Sequence, residues 1–179
     1  MRKYPIHTLL LGLAVLVLLS GPRTAAGVDA AQPGRQVRAA AICIGFGGNH
    51  ADKLKLALEH LETAGQQHVD IACSPEEFSG TTAEPLSGPT VTAVAAVARK
   101  HAMYVICPIR EQAGDEQFNT SVLLDRQGEV AGFYRKVFVF WGEGLVPSRE
   151  GVKAFTTDFG RIGILTCFCL LYTSDAADE

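Results

Sequence analysis

The fold is decided by residues 37–73, which read VRAAAICIGFGGNHADKLKLALEHLETAGQQHVDIAC. Two apolar runs, at 37–46 and 69–73, frame a segment whose apolar residues recur at helical spacing: Leu54, Ala57, Leu58 and Leu61. This spacing predicts an amphipathic helix from about Ala51 to Gly65. Because both runs are apolar apart from Arg38 and Asp70 and do not alternate, they predict parallel strands that are covered on both faces. The stretch is therefore typical of an α/β fold.

The same pattern continues along the chain. A second amphipathic helix is predicted at 90–101, and the next strand is predicted at 104–109. The segments 120–125 and 129–134 flank a short turn that contains glycine, which predicts a β-hairpin. A final apolar strand is predicted at 161–168.

Length and composition limit the classes of protein. The chain has 179 residues, of which 47% are hydrophobic and 20% charged, which suits one domain with a sizeable core but not two. The formal net charge of -3 provides no basic field that would attract nucleic acid or anionic lipid. These values favour small-molecule partners.

The N-terminus has the pattern of a secretory signal peptide. Arg2 and Lys3 precede an apolar run, and small residues follow at 24–27. We predict a signal peptide at 1–27 and a flexible lead-in at 28–36. The alternative is an uncleaved signal anchor, although the apolar run is shorter than the about 20 residues of a spanning helix. Both interpretations predict an exported protein, periplasmic or secreted, that meets a membrane only if the signal is uncleaved.

The cysteines show no spacing typical of a metal site or a disulfide framework. Cys43, Cys73 and Cys107 lie in apolar runs and are predicted to be small buried residues of the sheet. Cys167 differs, because it is predicted to close the last apolar strand.

Three groups with complementary chemistry follow predicted strands. Glu76 comes after the strand 69–73, Lys136 after the hairpin, and Cys167 ends the last strand. Catalytic groups of α/β proteins commonly lie at the carboxyl ends of strands. A thiol nucleophile needs a base to take its proton and a cation to stabilise the oxyanion that it creates. Glu77 competes with Glu76 as the base, and in an extended segment only one of the two can face the site.

Five blocks carry a resemblance to a known family: VDI at 69–71, PE at 75–76, FNTS at 118–121, YRKV at 134–137 and FGRIGILTCF at 159–168. Together they are similar to the nitrilase superfamily of carbon-nitrogen hydrolases, over residues 37–168. The resemblance implies an α/β fold that forms the N-terminal part of a four-layer αββα sandwich, incomplete in this chain.

The resemblance also implies a role for each matching residue. Glu76, directly after proline, corresponds to the general base, Lys136 to the group that stabilises the tetrahedral intermediate, and Cys167 to the nucleophile. Glu143, in WGEG at 141–144, matches the second glutamate that positions substrate, although VFVF after the lysine departs from the usual His-Leu. No cofactor or metal is implied.

The C-terminal segment departs from the family. From Cys169 the chain reads CLLYTSDAADE, where the family has an acidic residue and then further strands and helices. This segment is similar to the in-frame translation of a transposase-based sequencing-library adapter. We therefore predict a partial carbon-nitrogen hydrolase domain at 37–168 and an adapter-derived segment at 169–179 that does not pack as a native element. The chain as given is expected to be inactive.

The predicted activity is hydrolysis of a small non-peptide amide or N-carbamoyl compound through a cysteine acyl-enzyme. Hydrolysis of a nitrile by the same three residues is one alternative. Acyl transfer to an amine is another, although its family branch is expected to carry several membrane spans. A protein that keeps only the fold and binds ligand without catalysis is the third. The resemblance implies a homo-oligomer for the full-length protein.

Overall fold

The computed structural model describes residues 34–45 and 48–174. The signal peptide predicted at 1–27 lies outside these residues, as does most of the lead-in predicted at 28–36. Within the described part of the chain, no helix has the length and apolar character needed to cross a membrane.

The centre of the fold is a mixed five-stranded sheet in which the strands follow one another in chain order. Its strands are β1 (Ala39–Ala41), β2 (Ile71–Cys73), β3 (Tyr104–Ala113), β4 (Glu116–Leu124) and β5 (Val130–Arg135). The first three strands are parallel, and β3, β4 and β5 form an antiparallel meander. The parallel strands and the hairpin predicted from the sequence are therefore confirmed.

Two helices make the crossovers between the parallel strands. Helix α1 (His50–Gln66) joins β1 to β2, and its N-cap Asn49 accepts a hydrogen bond from the backbone of Asp52 at 2.9 Å. Helix α2 (Pro89–His101) joins β2 to β3 and begins with proline, whose fixed φ suits the first helical position. Both helices lie within one or two residues of the predicted ranges.

The sheet is covered on both faces, because alternate residues of β3 enter two different apolar clusters. Val105, Cys107 and Ile109 pack with α1 and α2 on one face. Tyr104 and Ile106 point to the other face. There they pack with β5, with the hairpin of β6 (Ala154–Thr157) and β7 (Gly160–Gly163), and with the chain that follows it.

The strand predicted at 161–168 is wrong in extent. Strand β7 ends at Gly163 and pairs only with β6, outside the main sheet. Residues 164–167 have no regular structure, and a short helix, α3, spans Phe168–Ser174. Cys167 has φ of +48°, a left-handed conformation that cannot continue a strand. The strand predicted at 37–46 is likewise reduced to Ala39–Ala41, because its partner β2 is only three residues long.

The cysteines are only partly as predicted. Cys107 is buried, but the predicted burial of Cys43 and Cys73 is wrong, since both are exposed. Cys43 lies beyond the end of β1, and Cys73 is the last residue of β2. Cys169 is fully buried and its sulfur accepts a hydrogen bond from the Tyr134 hydroxyl at 3.0 Å. The prediction that 169–179 is an adapter-derived segment that does not pack as a native element stays a prediction, although Cys169 itself is buried.

Helix α1 offers a matched test of this core. Leu61 is fully buried, whereas Leu56 on the same helix is 39% exposed. We expect Leu61→Ala to lower the free energy of unfolding by about 2–5 kcal/mol, because it leaves a cavity, and Leu56→Ala to lower it by less than about 1 kcal/mol. Urea denaturation followed by circular dichroism measures both. Equal losses in the two variants would contradict the described packing.

Candidate active site

Glu76 is presented by a tight turn directly after β2. The backbone N–H of Phe78 donates to the carbonyl of Pro75 at 3.2 Å, and Glu77 has φ of +50°. The two adjacent carboxylates diverge from this turn. Glu77 accepts a hydrogen bond from the Arg110 guanidinium at 2.9 Å, and Glu76 points to Lys136. The sequence favoured Glu76 over Glu77 only through the family resemblance. The structure also separates the two acids, because Glu76 contacts Lys136 whereas Glu77 contacts Arg110.

The ammonium group of Lys136 is the centre of the polar cluster. Its side chain is fully buried, with Nζ 2.7 Å from Oε1 of Glu76 and 2.5 Å from Oε1 of Glu143. Its backbone N–H donates to the carbonyl of Asn119 at 2.8 Å, which extends the pairing of β4 and β5 by one residue. A buried charge is tolerated only when it is paired, and here two carboxylates pair with one ammonium.

Glu143 reaches this cluster from the segment after β5. The backbone N–H of Phe140 donates to its Oε1 at 3.1 Å. Burial alone would raise the pKa of Glu143, but hydrogen bonds from Lys136 and Phe140 outweigh burial and hold the pKa below its usual value. Burial alone would lower the pKa of Lys136, and its hydrogen bonds to both carboxylates instead raise it. The ammonium therefore stays charged at neutral pH.

Asn119 belongs to the cluster, although in the sequence it stood out only as part of the FNTS block at 118–121. Its side-chain amide donates to Oε1 of Glu76 at 2.6 Å and lies 3.4 Å from Oε2 of Glu143. The residue is 3% exposed. The sequence signal for these contacts is an amide side chain within a strand of otherwise buried residues, because a buried amide requires hydrogen-bond partners.

Cys167 lies at the turn between β7 and α3. Its positive φ, exceptional for a residue other than glycine, is the backbone feature of nucleophiles that stand on a sharp turn before a helix. The thiol-bearing residue is exposed. The preceding Thr166 places its hydroxyl 3.5 Å from that of Ser121 on β4, and the ring of Phe168 lies 5.4 Å from that of Phe140. The two residues that flank Cys167 therefore contact the elements that carry Asn119 and Glu143. Thr166 contacts β4, and Phe168 contacts the segment after β5.

Two cavities border these residues. One of about 380 Å³ is lined by Glu76 and Glu143 together with Lys53, Glu77 and Thr81. The second, of about 510 Å³, is lined mainly by apolar and aromatic side chains, which include Phe138, Phe140, Trp141 and Phe168. Both volumes suit small molecules. Of the four residues that the sequence predicted, the structure brings Glu76 and Glu143 into contact with Lys136. No hydrogen bond or ion pair among the described residues joins Cys167 to any of the three.

Comparison with known proteins identifies the class. Residues 37–176 match the model of the carbon-nitrogen hydrolase family, and the chain belongs to that family. The matched range includes part of the segment 169–179.

The individual relatives are named for different activities. The chain is 29% identical over 133 residues to a pantetheinase of Sus scrofa. This alignment covers 65% of this chain and 25% of that protein. It is 30% identical over 91 residues to a nitrilase of Pyrococcus abyssi (strain GE5 / Orsay), which covers 50% of this chain and 34% of that protein.

Solved structures confirm the predicted nitrilase-like α/β fold. A carbon-nitrogen hydrolase from Helicobacter pylori G27 superposes with a TM-score of 0.69 at 19% identity, covering 80% of this chain and 55% of that chain. An amidase from Nesterenkonia sp. superposes with a TM-score of 0.64 at 19% identity, covering 74% and 56%. The chain therefore spans a quarter to a third of the curated relatives named above and just over half of the solved chains.

The pairing of Glu143 predicts a pH-dependent contribution to stability. Because its pKa is lowered on folding, its contribution is present above the usual value of 4.5 and is lost as the pH falls through the lower folded pKa. We expect Glu143→Gln to lower the free energy of unfolding at pH 7 by roughly 1–3 kcal/mol, the effect of removing one partner of a buried hydrogen-bonded charge. The deficit should shrink below pH 4.5. Urea denaturation at a series of pH values measures it.

Glu129→Gln is the matched control, since the Glu129 side chain is 75% exposed. It should leave the stability nearly unchanged at every pH. A Glu143→Gln deficit that stays constant with pH would contradict the assignment of the lowered pKa to the folded carboxylate.

Proposed function

We propose that the full-length protein containing this chain is a cysteine-dependent hydrolase that cleaves a non-peptide amide or N-carbamoyl bond in a small molecule. Glu76 is the general base, Lys136 stabilises the tetrahedral intermediate, Cys167 is the nucleophile and Glu143 positions the substrate. The observation that carries this proposal is the buried ammonium of Lys136, held between two carboxylates at the carboxyl end of the sheet.

The proposed reaction proceeds in two halves. Glu76 accepts the proton of the Cys167 thiol, and the sulfur attacks the carbonyl carbon of the substrate. The oxyanion that forms is stabilised by Lys136, whose raised pKa keeps it cationic. The C–N bond then breaks, the amine leaves with the proton from Glu76, and a thioester remains on Cys167. Water, deprotonated by Glu76, attacks the thioester carbonyl. The C–S bond then breaks, the acid is released, and the Cys167 thiolate takes the proton back from Glu76.

The positions of the acids support these roles. The ammonium of Lys136 contacts Oε1 of Glu76, and no described residue hydrogen-bonds to the other oxygen of that carboxylate. An acceptor with one free oxygen at the wall of a cavity suits proton abstraction. The proposed steps need only side chains and water.

Nitrile hydrolysis is the second candidate, because one relative is named a nitrilase. The sulfur of Cys167 would then add to the nitrile carbon and form a thioimidate, which water converts to acid and ammonia. An assay that separates acid, amide and ammonia, run with matched amide, N-carbamoyl and nitrile substrates, distinguishes the two reactions. We also infer export of the protein from the signal pattern at 1–27, and assembly of the full-length protein into a homo-oligomer from the family resemblance.

The nucleophile gives the sharpest test of this function. In the full-length gene product, Cys167→Ala is expected to reduce turnover by about three orders of magnitude or more, because the covalent step is lost. Ammonia release under saturating substrate measures the rate. Residual turnover within about tenfold of the parent would exclude Cys167 as the nucleophile.

Cys43→Ala serves as the matched control, because Cys43 is exposed and lies outside the Lys136 cluster. It should keep the parent's turnover. The same assay applied to residues 1–179 alone tests the prediction that this chain is inactive. Turnover by the short chain that depends on Cys167 would show that prediction to be wrong.

A further inference from the structure

Two paired residues of the central sheet, Asn119 and Arg110, bind the turn that carries Glu76. Asn119 of β4 is the register partner of Arg110 of β3. Each of these neighbours binds one of two consecutive acids: the Asn119 amide donates to Glu76 at 2.6 Å and the Arg110 guanidinium donates to Glu77 at 2.9 Å. The turn that carries both acids is therefore held at two adjacent points of the sheet.

This arrangement selects one oxygen of Glu76. Asn119 and Lys136 both donate to Oε1, at 2.6 and 2.7 Å, so that this oxygen is occupied twice. The other oxygen receives no hydrogen bond from the described residues, and the side chain lines the cavity of about 380 Å³. A carboxylate bound by two donors on one oxygen cannot rotate without breaking both bonds. Its second oxygen thus stays the one without a donor among the described residues.

The same amide also separates two like charges. Glu76 and Glu143 share the single ammonium of Lys136, and the Asn119 amide lies 2.6 Å from the first and 3.4 Å from the second. A neutral donor between two carboxylates offsets part of their mutual repulsion, because its N–H groups are attracted to both. The amide is held firmly, since Asn119 is 3% exposed and its own carbonyl accepts the backbone N–H of Lys136.

We propose that Asn119 is a positioning residue for the general base: it fixes the rotation of the Glu76 carboxylate. This inference rests on the proposed function of Glu76. Asn119 acts through Glu76 and does not itself contact the reacting atoms.

Three variants of the full-length gene product test this role. Asn119→Ala removes the donor, and Asn119→Asp keeps the shape but replaces the donor with a further carboxylate. Gln117→Ala is the matched control, because Gln117 is an amide two residues earlier in β4 whose side chain donates to Gln112 and not to the acids. Steady-state rates are measured from pH 4 to pH 9, and thermal unfolding reports the folded fraction of each variant.

We expect Asn119→Ala to lower kcat by about 10- to 100-fold, with a change in KM of less than about threefold, since the lost hydrogen bond goes to a charged group. Asn119→Asp should lower kcat at least as far, because its carboxylate repels the carboxylate of Glu76 instead of donating to it. Gln117→Ala should match the parent. The other charged groups around Glu76 are Lys136, Glu143, Glu77 and Lys53, and all are unchanged in the variants.

A purely structural role would reduce the folded fraction and leave the kcat of the folded enzyme unchanged. A kcat of Asn119→Ala within about twofold of the parent, or a loss that appears in KM rather than in kcat, overturns the proposal. If Asn119→Ala does not fold, Asn119→Asp decides the question on the same two readouts. A parent enzyme without Cys167-dependent turnover would instead overturn the proposed function, so the two failures are distinguishable.

Discussion

The structure depends on one buried charge. The ammonium of Lys136 is fully removed from solvent and would cost several kcal/mol without partners. Its partners come from two separate segments, the turn after β2 and the segment after β5. Both segments must therefore converge on the end of β5 in the folded state. The pairing that makes the lysine tolerable also assembles the acids that the proposed chemistry requires.

The two residues before Lys136, Tyr134 and Arg135, hold the end of β5 in place through their own contacts. Arg135 points away from the cluster and forms two hydrogen bonds to the buried carboxylate of Glu111, at 2.6 and 2.8 Å, while its guanidinium lies 4.3 Å from the centre of the Phe118 ring. Tyr134 is buried on the far side of the sheet, where its hydroxyl donates to Cys169. Tyr134, Arg135 and Lys136 therefore each bind a different partner. These contacts restrict movement of the lysine relative to the acids.

The sequence predicts those features that local spacing determines. Helix α1 was expected at 51–65 and spans His50–Gln66, because its apolar residues recur at helical spacing. Glu76, Lys136 and Cys167 were expected to lie together because parallel strands align their ends, and the structure shows this contact for Glu76 and Lys136. No hydrogen bond in the described part of the chain joins Cys167 to either residue. The end of β7 at Gly163 depends on which strand is available as a partner, and no local pattern reports that. The role of Asn119 depends on acids 43 and 24 residues away in the chain, so its contacts become visible only in the folded structure.

The proposed mechanism requires a covalent bond between the sulfur of Cys167 and the substrate at the site built around Lys136. Acid quenching of the full-length enzyme during turnover of a small amide, followed by intact-mass measurement and peptide mapping, detects this bond. The expected result is a mass increase equal to one acyl group, located on the peptide that contains Cys167 and absent from Cys167→Ala. Turnover without an acyl adduct on any peptide, or with the adduct on another cysteine, would contradict the mechanism.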